Sequence, residues 1–178
     1  MDEIRHMLET GAPMPEGYDL YHEKVRPALD FVDPATGRPV HIERFGLLAQ
    51  YLKTDHFTID QWITFFAIDL ERTMMVMRQE SAKRGVEVSS MITVIDEHGT
   101  GFGIMSRMKL FQIMNHTASE YYPEFLSTVF VLRAPWVFDK LWKFIQGFLD
   151  PDTANKVVVV CFLFYLLPLL DPSVLLYF

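Results

Sequence analysis

At 178 residues, half of them hydrophobic, the chain suits one domain with a substantial core, and a net charge of −7 excludes nucleic acid as the main partner, since phosphate binding needs a basic footprint. A local membrane contact stays compatible with that charge. The single cysteine, Cys161, excludes an internal disulfide, and the acidic opening MDEIRHMLE is no secretory signal, so a cytosolic address is expected.

The first 39 residues are the least regular in pattern, with a short helix expected at 2–9 and a loop at GAPMPEG. The turn DPATGRPV leads to a first strand at 40–45. The strongest helix runs from Ile59 to Arg84, where Ile59, Trp62, Ile63, Phe66 and Leu70 recur at steps of three and four. Thr58 and Gln61 form a capping box before it, and Gly85 ends it. MITVI (91–95) reads as a strand closed by DEHGTGFG, and a helix is expected over 106–120.

Pro123 stops that helix, because the residue before a proline is pushed out of the α region. STVFVL, rich in β-branched and aromatic residues, is then a buried strand. Pro135 suits the first turn of a helix over 136–148, and a last strand starts at Val157. Strands separated by helices of this length predict an α/β domain with a largely parallel sheet.

The motifs of enzymes are absent. Gly99, Gly101 and Gly103 alternate and do not space as G-x-G-x-x-G, so a glycine-rich turn is the better reading. There is no phosphate-binding loop with a terminal lysine. The histidines are scattered, without metal-ligand spacing. Cys161 sits in an apolar run with no cation near it in sequence, as a structural thiol does. Asp96, His98 and Ser106 lack the G-x-S-x-G elbow of a triad. No catalytic residue, metal or cofactor is expected.

Five segments in order, Gly37-Arg38-Pro39-Val40, Thr93-Val94-Ile95-Asp96 with Gly99, Tyr121-Tyr122-Pro123-Glu124, Ala134-Pro135-Trp136 and FLDPDTANKV, give the chain its likeness. It resembles the CRAL-TRIO family of lipid-binding domains, most closely the branch typified by the yeast phosphatidylinositol/phosphatidylcholine transfer protein. The resemblance implies a β-sheet floor, helices enclosing a lipid pocket, and a gating helix. It divides the chain into an irregular N-terminal extension (1–25), the CRAL-TRIO domain (26–160) and an atypical apolar tail (161–178).

The resemblance also implies a ligand and its contacts: one phospholipid, phosphatidylinositol or phosphatidylcholine, carried between membranes that the protein touches peripherally. Glu124 and Lys156 match the acid and lysine that contact an inositol headgroup in that branch, and Thr93 matches a nearby hydroxyl. Met91 stands where the branch has serine, and Arg133 where it has asparagine. The gate segment supplies Trp136, Phe138, Leu141, Trp142, Ile145 and Phe148, with Lys140 and Lys143 toward the other side. Without the resemblance, Thr93 is an ordinary strand threonine, Glu124 a helix-terminal acid, Lys156 a solvated residue, and the gate a core helix.

After about Val160 the chain leaves the family's pattern, and the helix and Leu-Pro…Gly-Gly segment that close the floor are not matched, as in a truncated product. The uncharged run from Val157 to Leu170 is shorter than the about 20 residues of a spanning helix. It is read as a buried strand and an irregular apolar tail, with a tail anchor as the alternative. A protein-interaction module that uses the apolar groove without extracting lipid is the remaining class.

Overall fold

The computed structural model describes residues 2–25, 28–46, 56–101, 108–136, 138–147 and 149–160, with the backbone alone at 28–30. The elements in order are α1 (Asp2–Thr10), α2 (Tyr18–Lys24), β1 (Ala28–Val32), β2 (Pro39–Arg44), α3 (Ile59–Arg84), β3 (Met91–Asp96), α4 (Met108–Tyr121), β4 (Leu126–Leu132), α5 (Phe138–Gln146), α6 (Pro151–Asn155) and β5 (Val157–Val160). The strands form one five-stranded sheet ordered β1-β2-β3-β4-β5. β1 is antiparallel to β2 and every later pairing is parallel. The α/β class and largely parallel sheet follow the expectation.

The helix signals in the sequence act as their chemistry dictates. The Thr58 hydroxyl accepts from the Gln61 N–H at 3.2 Å, and the Gln61 side chain accepts from the Thr58 N–H at 2.9 Å. At the other end Gly85 takes φ 66°, and its N–H closes on the Ser81 carbonyl at 2.9 Å. α5 is shorter than the expected 136–148: Trp136 lies in the turn before it, and the Phe138 N–H donates to the Pro135 carbonyl at 2.8 Å.

The N-terminal 25 residues correct the sequence reading. They are not an irregular extension: both α1 and α2 pack onto α3. Tyr18 and Tyr21 are buried and donate to the fully buried Asp69 carboxylate at 2.7 and 2.9 Å. Burial, reinforced by Asp69, pushes the Tyr18 phenol well above its ordinary range. The two rings join Phe57, Trp62 and Phe65 in one aromatic cluster, with Tyr21 edge-on to Trp62 at 5.4 Å. From α1, the Arg5 guanidinium donates two bonds to Glu71, each 3.1 Å. α2 has seven residues, and its N-cap, Gly17, makes no side-chain cap, so tertiary contacts rather than local signals hold it. β1 escaped notice for a similar reason. It is a short, irregular edge strand between proline-bearing segments.

Period two divides the sheet into two faces. Ile42 is in register with Val94, and Val94 with Phe130, so one face carries the cluster of Val40, Ile42, Val94 and Leu132. The other face carries the rows His41–Thr93–Val129–Val157 and Glu43–Ile95–Val131–Val159. That second face meets the helices and holds the cavity.

Candidate functional site

Two connected cavities lie between this face and the helices. One, of about 470 Å³, is lined by Thr93 and Met91 from β3, Asn115 and Ser119 from α4, Tyr122 and Glu124 from the following turn, and Asp150, Thr153 and Lys156 around α6. The other, of about 220 Å³, is nearly all apolar, with Trp62, Phe66, Phe111, Met114, Phe138, Trp142, Ile145 and Leu149 in its wall. Glu43, Phe66, Ile95, Asn115, Leu126, Val129 and Thr153 line both, so a polar end runs into an apolar one. Such a shape suits an amphiphile.

The three expected headgroup residues meet at the polar end. Thr93 is buried, and its hydroxyl has no hydrogen-bond partner. It points inward because its strand neighbours on either side belong to the opposite face. Glu124 follows Pro123 with φ 57°, a left-handed conformation that turns the chain from α4 into β4. Its carboxylate is exposed at the cavity wall. Lys156 is the C-cap of α6, its N–H bonded to the Thr153 carbonyl at 3.1 Å, and β5 starts at the next residue, as expected. The Asp150 carboxylate starts α6 by accepting from the Thr153 N–H at 2.8 Å, and the Thr153 side chain first, then that N–H, hold its carboxyl below the usual range. Neither the Glu124 carboxylate nor the Lys156 ammonium has a side-chain ion-pair partner among the described residues.

The expected gate residues divide. Phe138, Trp142 and Ile145 line the apolar cavity, and the Phe138 and Trp142 rings stack with centroids 6.2 Å apart. Leu141 packs instead into the aromatic cluster with Tyr18, Tyr21 and Phe65, and lines neither cavity. Trp136 is no cavity residue either, being 80% exposed at the edge of α5, with Lys140 and Lys143 on the outer side. Trp136 precedes the helix, so the helical stripe that places Phe138 and Leu141 does not extend to it. Phe148, like Cys161 and the apolar tail at 161–178, lies outside the described residues.

Three features were not read from the sequence. Tyr122 donates to Glu71 at 2.9 Å, so Glu71 joins α1, α3 and the Tyr-Tyr-Pro-Glu turn. Burial first, and then Glu71, push its phenol far up. Arg133, at φ 52°, turns its guanidinium back to the buried Asp96, donating from Nε at 2.7 Å and again from Nη2. The charge pair offsets a backbone conformation that asparagine, the residue of the resembling branch, adopts more readily. Glu97, one residue past β3, is buried in the wall of the apolar cavity. The first two depend on partners distant in sequence, and the third on the cavity wall that α3, α4 and α5 supply.

Among the described residues no cluster of His, Cys, Asp and Glu could hold a metal ion, and no helix is long and apolar enough to cross a membrane. The CRAL/TRIO domain family model matches residues 33–164. The phosphatidylinositol/phosphatidylcholine transfer protein SFH11 of Arabidopsis thaliana is 35% identical over 145 residues, 78% of this chain and 38% of that protein. The Sec14 cytosolic factor of Schizosaccharomyces pombe is 27% identical over 128 residues, 70% of this chain and 44% of that one. The chain thus spans less than half the length of these relatives. In structure it resembles the crystal structure of Sfh5, with a TM-score of 0.66 at 19% identity, covering 83% of this chain and 50% of that one, a likeness of fold. With its sheet, its cavity and the family match in agreement, the chain belongs to the CRAL/TRIO family.

Proposed function

We propose that the chain binds one phospholipid, its headgroup at the polar end of the cavity and its acyl chains under α5, and moves it between membranes. The observation that carries this reading is the meeting of Thr93, Glu124 and Lys156 in the wall of one cavity that continues into an apolar one. The Lys156 ammonium pairs with the phosphate, while the Glu124 carboxylate and Thr93 hydroxyl accept from inositol hydroxyls. Met91 lies beside Thr93 in the same wall and offers no hydroxyl, so Glu124 and Lys156 carry most of the headgroup discrimination.

α5 is the moving part in this account. Its inner residues cover the ligand, and Trp136, Lys140 and Lys143 face the bilayer, where an aromatic ring and cations dock well. No cofactor or covalent step is needed. The working place is the cytosolic side of membranes, as the name of the fission-yeast relative suggests for that protein.

The test is vesicle-to-vesicle transfer of phosphatidylinositol and phosphatidylcholine by Glu124→Ala and Lys156→Ala. Loss of one charge-assisted contact should weaken phosphatidylinositol binding about ten- to hundredfold and leave phosphatidylcholine transfer largely intact. Equal loss of both lipids means that the residues hold the fold, and no loss removes them from the site.

A further inference from the structure

The apolar end of the cavity contains a carboxyl group that the headgroup reading does not use. Met91, Thr93, Ile95 and Glu97 alternate along one face of the strand, and the Glu97 N–H continues the ladder by donating to the Leu132 carbonyl at 2.9 Å. Its side chain therefore belongs to the cavity face. Glu97 is 3% exposed, it lines the apolar cavity together with Trp62, Phe111, Phe138 and Trp142, and its Oε2 has no hydrogen-bond partner. The buried Thr100 hydroxyl favours the charged form, yet it too makes no hydrogen bond, and a buried carboxyl oxygen so placed is unfavourable until a donor reaches it.

We propose that Glu97 is a second polar anchor of the cavity, accepting a hydrogen bond from a hydroxyl group carried on the apolar body of the ligand. The proposal rests on the reading of the cavity as a lipid site. A neutral hydroxyl fits better than an ammonium, which loses far more hydration on entering an aromatic-walled space. Burial pushes the Glu97 carboxyl up to about 7; Asp96 and Glu43 add to the rise, and the Thr100 hydroxyl opposes it. The carboxylate accepts from a hydroxyl, and the neutral acid both accepts and donates, so the contact survives either state. The hydroxyl comes either from an oxidised acyl chain of a phospholipid or from a single-headed molecule such as a long-chain alcohol.

The test is direct binding of each probe, read from the fluorescence of the tryptophans in the cavity wall, Trp62 and Trp142. One arm compares phosphatidylcholines hydroxylated at successive acyl carbons with the unmodified lipid. The other compares a long-chain alcohol with the alkane of equal length. In at least one arm the wild-type protein should prefer the hydroxylated probe about tenfold. Glu97→Leu should abolish the preference, Glu97→Met serving where the leucine variant does not fold, and Glu97→Gln, which still accepts, should keep it. No preference by the wild type in either arm, or a preference that persists in the leucine or methionine variant, overturns the proposal. Binding of unmodified phosphatidylcholine without any hydroxyl preference removes the Glu97 anchor and leaves the phospholipid reading standing. Preference for the alcohol without phospholipid binding does the reverse.

Discussion

Along β3 and the residue after it, buried polar groups on the two faces of the sheet are treated in opposite ways. On the face away from the cavity, Asp96 is held by two bonds from Arg133 and accepts a third from the His98 N–H at 3.0 Å. On the cavity face, three residues before Asp96 and one after it, the Thr93 hydroxyl and a Glu97 oxygen have no partner. Neighbours in sequence, equally buried, thus differ in whether the chain satisfies them. Asp96 is satisfied within the fold, whereas Thr93 and Glu97, which line the cavity, each keep an oxygen for a ligand to complete.

The largest loss of stability from a substitution should follow from breaking the pair at Asp96. Arg133→Ala leaves Asp96 buried without its cation. The loss should be about 2 kcal/mol in urea unfolding, below the 3–5 kcal/mol of a fully buried pair because the guanidinium is partly solvated. Adding Asp96→Asn should recover part of it. If Arg133→Ala is neutral, the pair does not hold this face and the contrast fails.

The unpaired face should show itself in pH dependence. In the folded chain the Glu97 carboxyl is raised to about 7 from an ordinary 4.5, so between those values the folded state binds more protons than the unfolded. Stability should therefore fall as pH rises through that window, by up to about 3 kcal/mol. Glu97→Gln should remove this slope, as read from unfolding midpoints at pH 5 and pH 8. A wild-type slope of opposite sign in that window would show that other groups dominate.

A smaller effect of the same kind is expected at Thr93. Thr93→Val keeps the shape and removes an unpartnered hydroxyl, so the empty protein should gain about 1 kcal/mol while phosphatidylinositol binding weakens. A variant both less stable and unchanged in binding would assign the hydroxyl to the fold. The least effect on stability is expected outside the sheet. Trp136→Ala with Lys140→Glu, both at exposed positions, should shift stability by less than about 0.5 kcal/mol yet slow exchange between vesicles. Unchanged exchange would make α5 a fixed wall.

Local chemistry made much of this molecule legible. The Thr58–Gln61 box, Gly85 and Pro123 mark element ends by rules that act within a few residues, and each acts so here, whereas Pro135 lies three residues before α5. The resemblance brought Thr93, Glu124 and Lys156 forward, and the fold places them in one cavity wall. α2 and β1 were hidden because seven and five residues give too little periodicity, and distant partners such as Asp69 stabilise α2. Arg133 and Glu97 were hidden for a related reason. Nothing in their neighbourhoods says that one reaches a carboxylate 37 residues back, or that the other ends a strand on the cavity side. Trp136 came to the gate through the resemblance alone, and nothing in the sequence says that it stands before the helix on the exposed side.

The central claim is that the cavity carries one phospholipid, and native mass spectrometry of the protein purified from cells tests it most directly. The account predicts a mass excess of one lipid per chain, resolved on release into phosphatidylinositol, phosphatidylcholine or both, with the phosphatidylinositol share reduced by Lys156→Ala. A soluble, folded protein that carries no lipid, and takes none up from vesicles of either phospholipid, would contradict it.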